Sequence, residues 1–204
     1  MDSSEIKERV RKEYDEFAER YAIANFDSPL QYQLSEFCSL LKKGAKILDA
    51  GCGPARDVEY LNEEGFDAFG IDFSKEMIRI GKKLVPKCNI EIADFLEKEF
   101  NEESFGGIWC NASLIHVPKE EIKGLLSKLY KWLEHDGILF LSMIEGKGYK
   151  EIRIKRFYQN PLPVFFYELD ELMGLLEEAG FEIVKHHREY DFENHWIDFF
   201  CKKP

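Results

Sequence analysis

The chain has 204 residues, 45% of them hydrophobic, with 17 Phe and 9 Tyr, a content that excludes disorder and is ample for one buried core. A formal net charge of −11 opposes a polyanionic partner, because nucleic-acid binders present basic faces to phosphate. Five cysteines without a Cys-x-x-Cys pair suggest neither a disulfide framework nor a zinc site, so no metal is expected.

The charged opening MDSSEIKERV reads as helix rather than a signal peptide, and no apolar run approaches the roughly 20 residues that span a bilayer. The cytoplasm is therefore the default location, without a membrane partner. Ile6, Val10, Tyr14, Phe17 and Tyr21 recur at spacings of three and four and predict one amphipathic helix. Ser28 as N-cap and Pro29 in the first turn predict a second helix, with Leu30, Leu34, Phe37, Cys38 and Leu41 on its buried face and Gly44 at its end.

From Lys46 onward strands alternate with helices. Strands are expected at Lys46–Ala50, Ala68–Ile71, Asn89–Ala93, Phe105–Asn111 and Ile138–Ile144. The intervening helices are Pro54–Glu64, one capped by Ser74 with Met77, Ile80, Gly81 and Leu84 on one face, and one after Pro118. An irregular stretch then leads to a helix at Tyr167–Ala179, and two last strands lie near Phe181–His187 and Trp196–Lys202. Alternating elements of this length imply parallel pairing, whereas the last two strands are too close in sequence for a parallel crossover and should pair antiparallel.

The central motif is Ile47-Leu48-Asp49-Ala50-Gly51-Cys52-Gly53-Pro54-Ala55-Arg56, an apolar strand running through Gly-x-Gly into a helix. Glycines let the backbone turn sharply against a ligand, and the helix start offers unpaired N–H groups. Arg56 stands where dinucleotide folds place a third glycine, which argues against a nicotinamide or flavin cofactor. This segment resembles the glycine-rich first motif of class I S-adenosylmethionine-dependent methyltransferases, with Ala55 where many members carry a further glycine.

The resemblance implies a single α/β, Rossmann-like domain: a seven-stranded, mostly parallel sheet ending in an antiparallel hairpin, with helices on both faces. It places Asp49, Gly51, Cys52 and Gly53 against the methionine part of S-adenosylmethionine. Asp72, about twenty residues past the loop, suits the ribose hydroxyls, as acidic residues do in other adenosine sites. The resemblance further implies Phe73 against the adenine, Met77 in the cofactor-binding set, and Asp94 accepting from the adenine amino group with Phe95 packing nearby. The alternatives for these side chains are a helix-capping aspartate, a core phenylalanine and a solvated carboxylate.

Phe105 to Pro118 is similar to a subgroup whose fourth strand ends in Ala-Ser-Leu-x-His, which puts Asn111, Ser113 and His116 near the transferred methyl group. His116 is the candidate general base, its unperturbed pKa being near neutrality, or else a residue that orients the loop before Pro118. Tyr14 to Tyr21 resembles the lead-in that covers the cofactor in this superfamily. Residues 1–44 therefore read as a helical cap and 145–166 as an acceptor-side insert. In that insert Arg153, Arg156, Tyr149, Phe157, Tyr158 and Phe165 either supply cationic and aromatic contacts to the acceptor or pack against the helical cap, and Tyr14, Tyr21, Ser113, Arg153 and Tyr158 are the candidate acceptor-binding set.

The implied activity is methyl transfer to a small molecule, leaving S-adenosylhomocysteine, by a monomer or homodimer. RNA or protein methylation is a second reading, permitted by Lys147, Lys150, Arg153, Lys155 and Arg156 and opposed by the overall acidity. A non-catalytic S-adenosylmethionine-binding protein is a third.

Overall fold

A computed structural model of the chain describes residues 2–153, 160–190 and 194–204. Five strands form the parallel part of the main sheet: β1 Lys46–Ala50, β2 Asp67–Asp72, β3 Asn89–Ile92, β4 Phe105–Asn111 and β5 Leu133–Ile144. Two more, β8 Glu182–Tyr190 and β9 His195–Lys202, complete seven in the order β3-β2-β1-β4-β5-β9-β8. β9 runs antiparallel to both β5 and β8, so the expected terminal hairpin is present. The architecture is Rossmann-like, and its order reverses direction at β1, where β2 and β4 flank it on opposite sides.

Alternation along β1 feeds two cores: Ile47 enters one layer and Leu48 the other. One layer sets Trp109 and Phe140 against Leu34 and Phe37 of α2 (Gln31–Leu40) and Val58 and Leu61 of α3 (Arg56–Glu63). The other is covered by α5 (Lys119–Trp132) through Ile122, Leu125, Leu126 and Leu129, and by α6 (Leu169–Glu178) through Leu172 and Leu176. Among the described residues no helix is long and apolar enough to cross a membrane.

The opening helix α1, Ser3–Asn25, buries Ile6, Val10 and Phe17 as its period predicts. Three tethers hold it across the strand ends. Asp15 accepts hydrogen bonds from Ser74 Oγ (2.7 Å) and Glu76 N (3.1 Å) at the start of α4, Lys75–Leu84. Lys7 pairs with Asp94 at 3.1 Å. Arg9 donates to Glu151 at 2.9 Å.

Several expectations need correction. α2 begins at Gln31 with Leu30 as its cap, because Ser28 O and Asn25 O are occupied by Arg56 and the chain turns there instead. It ends at Leu40, ahead of Gly44. Leu84 is exposed rather than on the buried face of α4, where Ile78 takes its place. The stretch after β5, expected to be irregular, contains a second, two-stranded antiparallel sheet: β6 Gly148–Ile152 against β7 Leu162–Phe166. Pro161 and Pro163 obscure that hairpin in the sequence, since proline removes ladder donors and is tolerated only at such edges.

Candidate active site

A cleft of about 880 Å³ opens at the carboxyl ends of β1 to β4, beneath α1. A smaller recess of about 40 Å³ adjoins it and shares Tyr21, Asn25, Gly51, Gly53 and Asn111 with it.

The turn after β1 is built for close approach. Gly51 adopts φ +87°, and a Cβ there would stand 2.4 Å from the Ser113 Cβ. Gly53 (φ +53°) and Ala55 (φ +68°) are also left-handed, so the residue standing in for a further glycine carries the strain that glycine avoids. Ala112, between Asn111 and Ser113 in the cleft wall, is left-handed too, at φ +53°. Gly51 and Cys52 amides are bound to Ile71 O, which fixes the loop to β2.

Three carboxylates mark the tips of successive strands. Asp49 is 2% exposed at the floor of the recess, and its Oδ2 has no hydrogen-bond partner among the described residues. Burial, then the neighbouring charge of Asp57, pushes its carboxyl well above the usual carboxylate range, and Arg56 opposes them. Asp72 closes β2; its Oδ2 accepts the Gly53 amide (2.9 Å) and its Oδ1 the Ser74 amide (2.8 Å). Burial nevertheless raises it to about 6. Asp94 lines the far end, with Oδ1 on the Leu96 amide (2.8 Å) and Oδ2 on Lys7. Met77, Phe73 and Phe95 supply apolar wall between them.

Cys52 turns inward: a Cβ on Gly70 would meet its Sγ at 2.8 Å, and Cys52 borders only the small recess. Asn111 lies on the wall shared by both cavities, with Nδ2 donating to Asp57 Oδ2 at 3.2 Å. Ser113 lines the cleft with a buried Oγ that has no geometric hydrogen-bond partner among the described residues.

Tyr14 and His116 meet on the cleft wall, Tyr14 Oη 3.1 Å from His116 Nε2, while His116 Nδ1 sits 2.5 Å from Pro163 O on β7. Burial holds the imidazole down at about 4, with the Pro163 carbonyl opposing. A neutral ring whose Nδ1 faces a carbonyl carries its proton there, so Nε2 is the acceptor and Tyr14 the donor.

Tyr21 and Arg153 also line the cleft. Tyr158, with Lys155, Arg156 and Phe157, lies outside the described residues. Of the remaining basic insert, Lys147 pairs with Glu168 at 3.1 Å and Lys150 rests over the Phe166 ring. Lys7, Asn194 and Trp196 line the cleft as well and were not legible as site residues. Asp57 was also missed: beside the glycine loop it reads as an ordinary helix-start acid, and only the long-range approach of Trp109 and Asn111 shows it to be a hub.

A buried, unpartnered carboxylate beside main-chain amides at a strand tip fits a ligand that brings a cationic donor there, and two further carboxylates fit hydroxyl or amino donors along its length. Residues 47–137 match the methyltransferase-domain family. These residues are a methyltransferase domain.

The chain is 32% identical over 106 residues to the phosphoethanolamine N-methyltransferase of Plasmodium falciparum, an overlap covering 50% of this chain and 40% of that protein. It is 32% identical over 159 residues to phosphoethanolamine N-methyltransferase 3 of Arabidopsis thaliana, covering 71% and 30%. The chain thus spans well under half the length of these curated relatives. The chain also superposes on the Burkholderia thailandensis 1,6-didemethyltoxoflavin-N1-methyltransferase, solved with bound 1,6-didemethyltoxoflavin and S-adenosylhomocysteine. The TM-score is 0.71 at 19% identity, over 100% of this chain and 91% of that one.

Proposed function

We propose that the chain transfers a methyl group from S-adenosylmethionine to a small-molecule acceptor. The observation that carries this reading is the series Asp49, Asp72 and Asp94, one carboxylate at the tip of each of three adjacent parallel strands, the first in the recess and the other two in the cleft that adjoins it, beside a left-handed glycine turn.

When bound, S-adenosylmethionine supplies a methyl group already activated on a sulfonium sulfur. Asp49 would receive the ammonium of its methionine part, Asp72 its ribose hydroxyls, and Asp94 its adenine amino group, with Phe73, Met77 and Phe95 packing the ring. The remaining wall, from Tyr14, Tyr21, Ser113, His116, Arg153 and Trp196, would hold the acceptor. Alignment in a water-poor pocket can supply much of the acceleration of a direct displacement. His116, held neutral with both ring nitrogens engaged, serves in this reading to set the Tyr14 hydroxyl against the acceptor. A proton base is needed only for an acceptor that must lose a proton.

The small-molecule class is supported by the size of the cleft, by the net negative charge, and by relatives named for phosphoethanolamine and 1,6-didemethyltoxoflavin. Titration calorimetry with S-adenosylhomocysteine tests the first half, and failure to bind overturns the reading. Incubation with S-adenosylmethionine and fractionated metabolites, scored by S-adenosylhomocysteine release, tests the second. Turnover with RNA or protein but no metabolite would reassign the acceptor.

A further inference from the structure

Asp57, the second residue of α3, lies outside the main cleft and 6% exposed, yet it gathers four donors from three directions. Its Oδ1 takes Arg56 Nε at 2.6 Å, and its Oδ2 takes Arg56 Nη2 and Trp109 Nε1, each at 3.0 Å, and Asn111 Nδ2 at 3.2 Å. Arg56 reaches on to Asn25 O (3.2 Å) and Ser28 O (3.1 Å), so the same cluster fixes the turn between α1 and α2.

A primary amide has one donating and one accepting end. The Asp57 carboxylate accepts only, which commits Asn111 Nδ2 to it and turns Asn111 Oδ1 the other way, toward the shared wall of cleft and recess. The recess is lined by both Asn111 and Asp49, whose Oδ2 has no hydrogen-bond partner among the described residues, and an acceptor pair of Asn111 Oδ1 and Asp49 Oδ2 matches a primary ammonium.

The geometry points to Asp57 as a positioning residue that locks the Asn111 amide with its oxygen facing the amino group of the bound nucleoside's aminocarboxypropyl arm. This assignment rests on the S-adenosylmethionine reading above. Arg56 has a matching part, since it holds the Asp57 carboxylate in place from the opposite side.

The test compares two probes, S-adenosylhomocysteine, which carries the arm, and 5′-methylthioadenosine, which lacks it. Asp57→Asn adds a donor to the cluster and frees the Asn111 amide to rotate; Asn111→Ala removes the acceptor outright. Each variant should lose about tenfold in affinity for S-adenosylhomocysteine, the scale of one hydrogen bond to a charged group, while 5′-methylthioadenosine affinity stays within twofold of wild type. Combining the two substitutions should cost no more than Asn111→Ala alone. Should Asp57→Asn not fold, Asp57→Glu, which keeps the charge but shifts the acceptor by a methylene, carries the same expectation. Equal losses for both probes would make Asp57 a scaffold residue only and overturn the assignment, as would no loss for either. Wild-type protein that binds neither probe would instead overturn the cofactor reading itself.

Discussion

Tyr14 on the first helix and His116 after the fourth strand meet at 3.1 Å, and the carbonyl of Pro163 on the β6–β7 hairpin holds the other ring nitrogen. The contact joins three chain segments around a neutral imidazole. Its pKa is depressed in the folded state, to about 4 from an ordinary 6.5. The stability tied to the neutral ring is therefore present above 6.5 and is lost as pH falls through 4, because the unfolded chain takes up the proton first. His116→Gln should remove that slope. Urea midpoints at pH 7 and pH 4.5 should differ less in the variant, by on the order of 1–3 kcal/mol, the upper value being reduced by the face of the ring open to the cleft. Parallel pH profiles for the two proteins would refute it.

Ligand binding should carry a pH dependence of its own, set by a carboxylate. Asp72 is raised to about 6 by burial, although the Ser74 and Gly53 amides pull it down. Only the ionised form accepts from two hydroxyls, so affinity for S-adenosylhomocysteine should fall as pH drops through 6. Asp72→Asn should bind at least tenfold more weakly at pH 7.5 and show a flatter profile between pH 5 and 7.5. Because both Asp72 oxygens also hold main-chain amides, Asp72→Ala should lower thermal stability as well.

Gly51 is the tightest point of the loop. Gly51→Ala combines a φ of +87° with a Cβ 2.4 Å from Ser113 Cβ, and it should cost about 3 kcal/mol or more and abolish binding. Gly51→Ala with Ser113→Gly relieves the contact but not the backbone, so thermal melts should show partial recovery. No recovery would mean that the dihedral alone matters.

Ala112 offers a gain instead. Its φ of +53° is a conformation glycine adopts freely, and its methyl is only partly buried. Ala112→Gly should be neutral to stabilising by about 0.5–1 kcal/mol, where the same exchange in a helix costs about as much. A clear loss in chemical denaturation would show that the left-handed backbone is not strained.

The floor of the candidate site was legible because its parts are local. Each acid follows its own apolar strand, and strand period, turn glycines and helix caps are all written within a few residues; β1 and β4 fall at their expected bounds. Pairings across the fold were not. The Lys7–Asp94 ion pair, the Asp57 cluster and the docking of β6–β7 on α1 depend on residues whose sequence neighbours give no sign of them. Arg56 shows the difference: its size at a glycine position is plain in the sequence, yet its grip on the Asn25 and Ser28 carbonyls, just ahead of the start of α2, is visible only in three dimensions.

The antiparallel return of β9 beside β5 brings Asn194 and Trp196 to the wall of the cleft that Tyr14, from the other end of the chain, also lines. The contacts that would choose an acceptor are thus scattered over pieces distant in sequence, while those that would grip the nucleoside sit in one compact run from Asp49 to Asp94. Under the proposed function, a change of acceptor would require redrawing only the rim, with the floor left as it is.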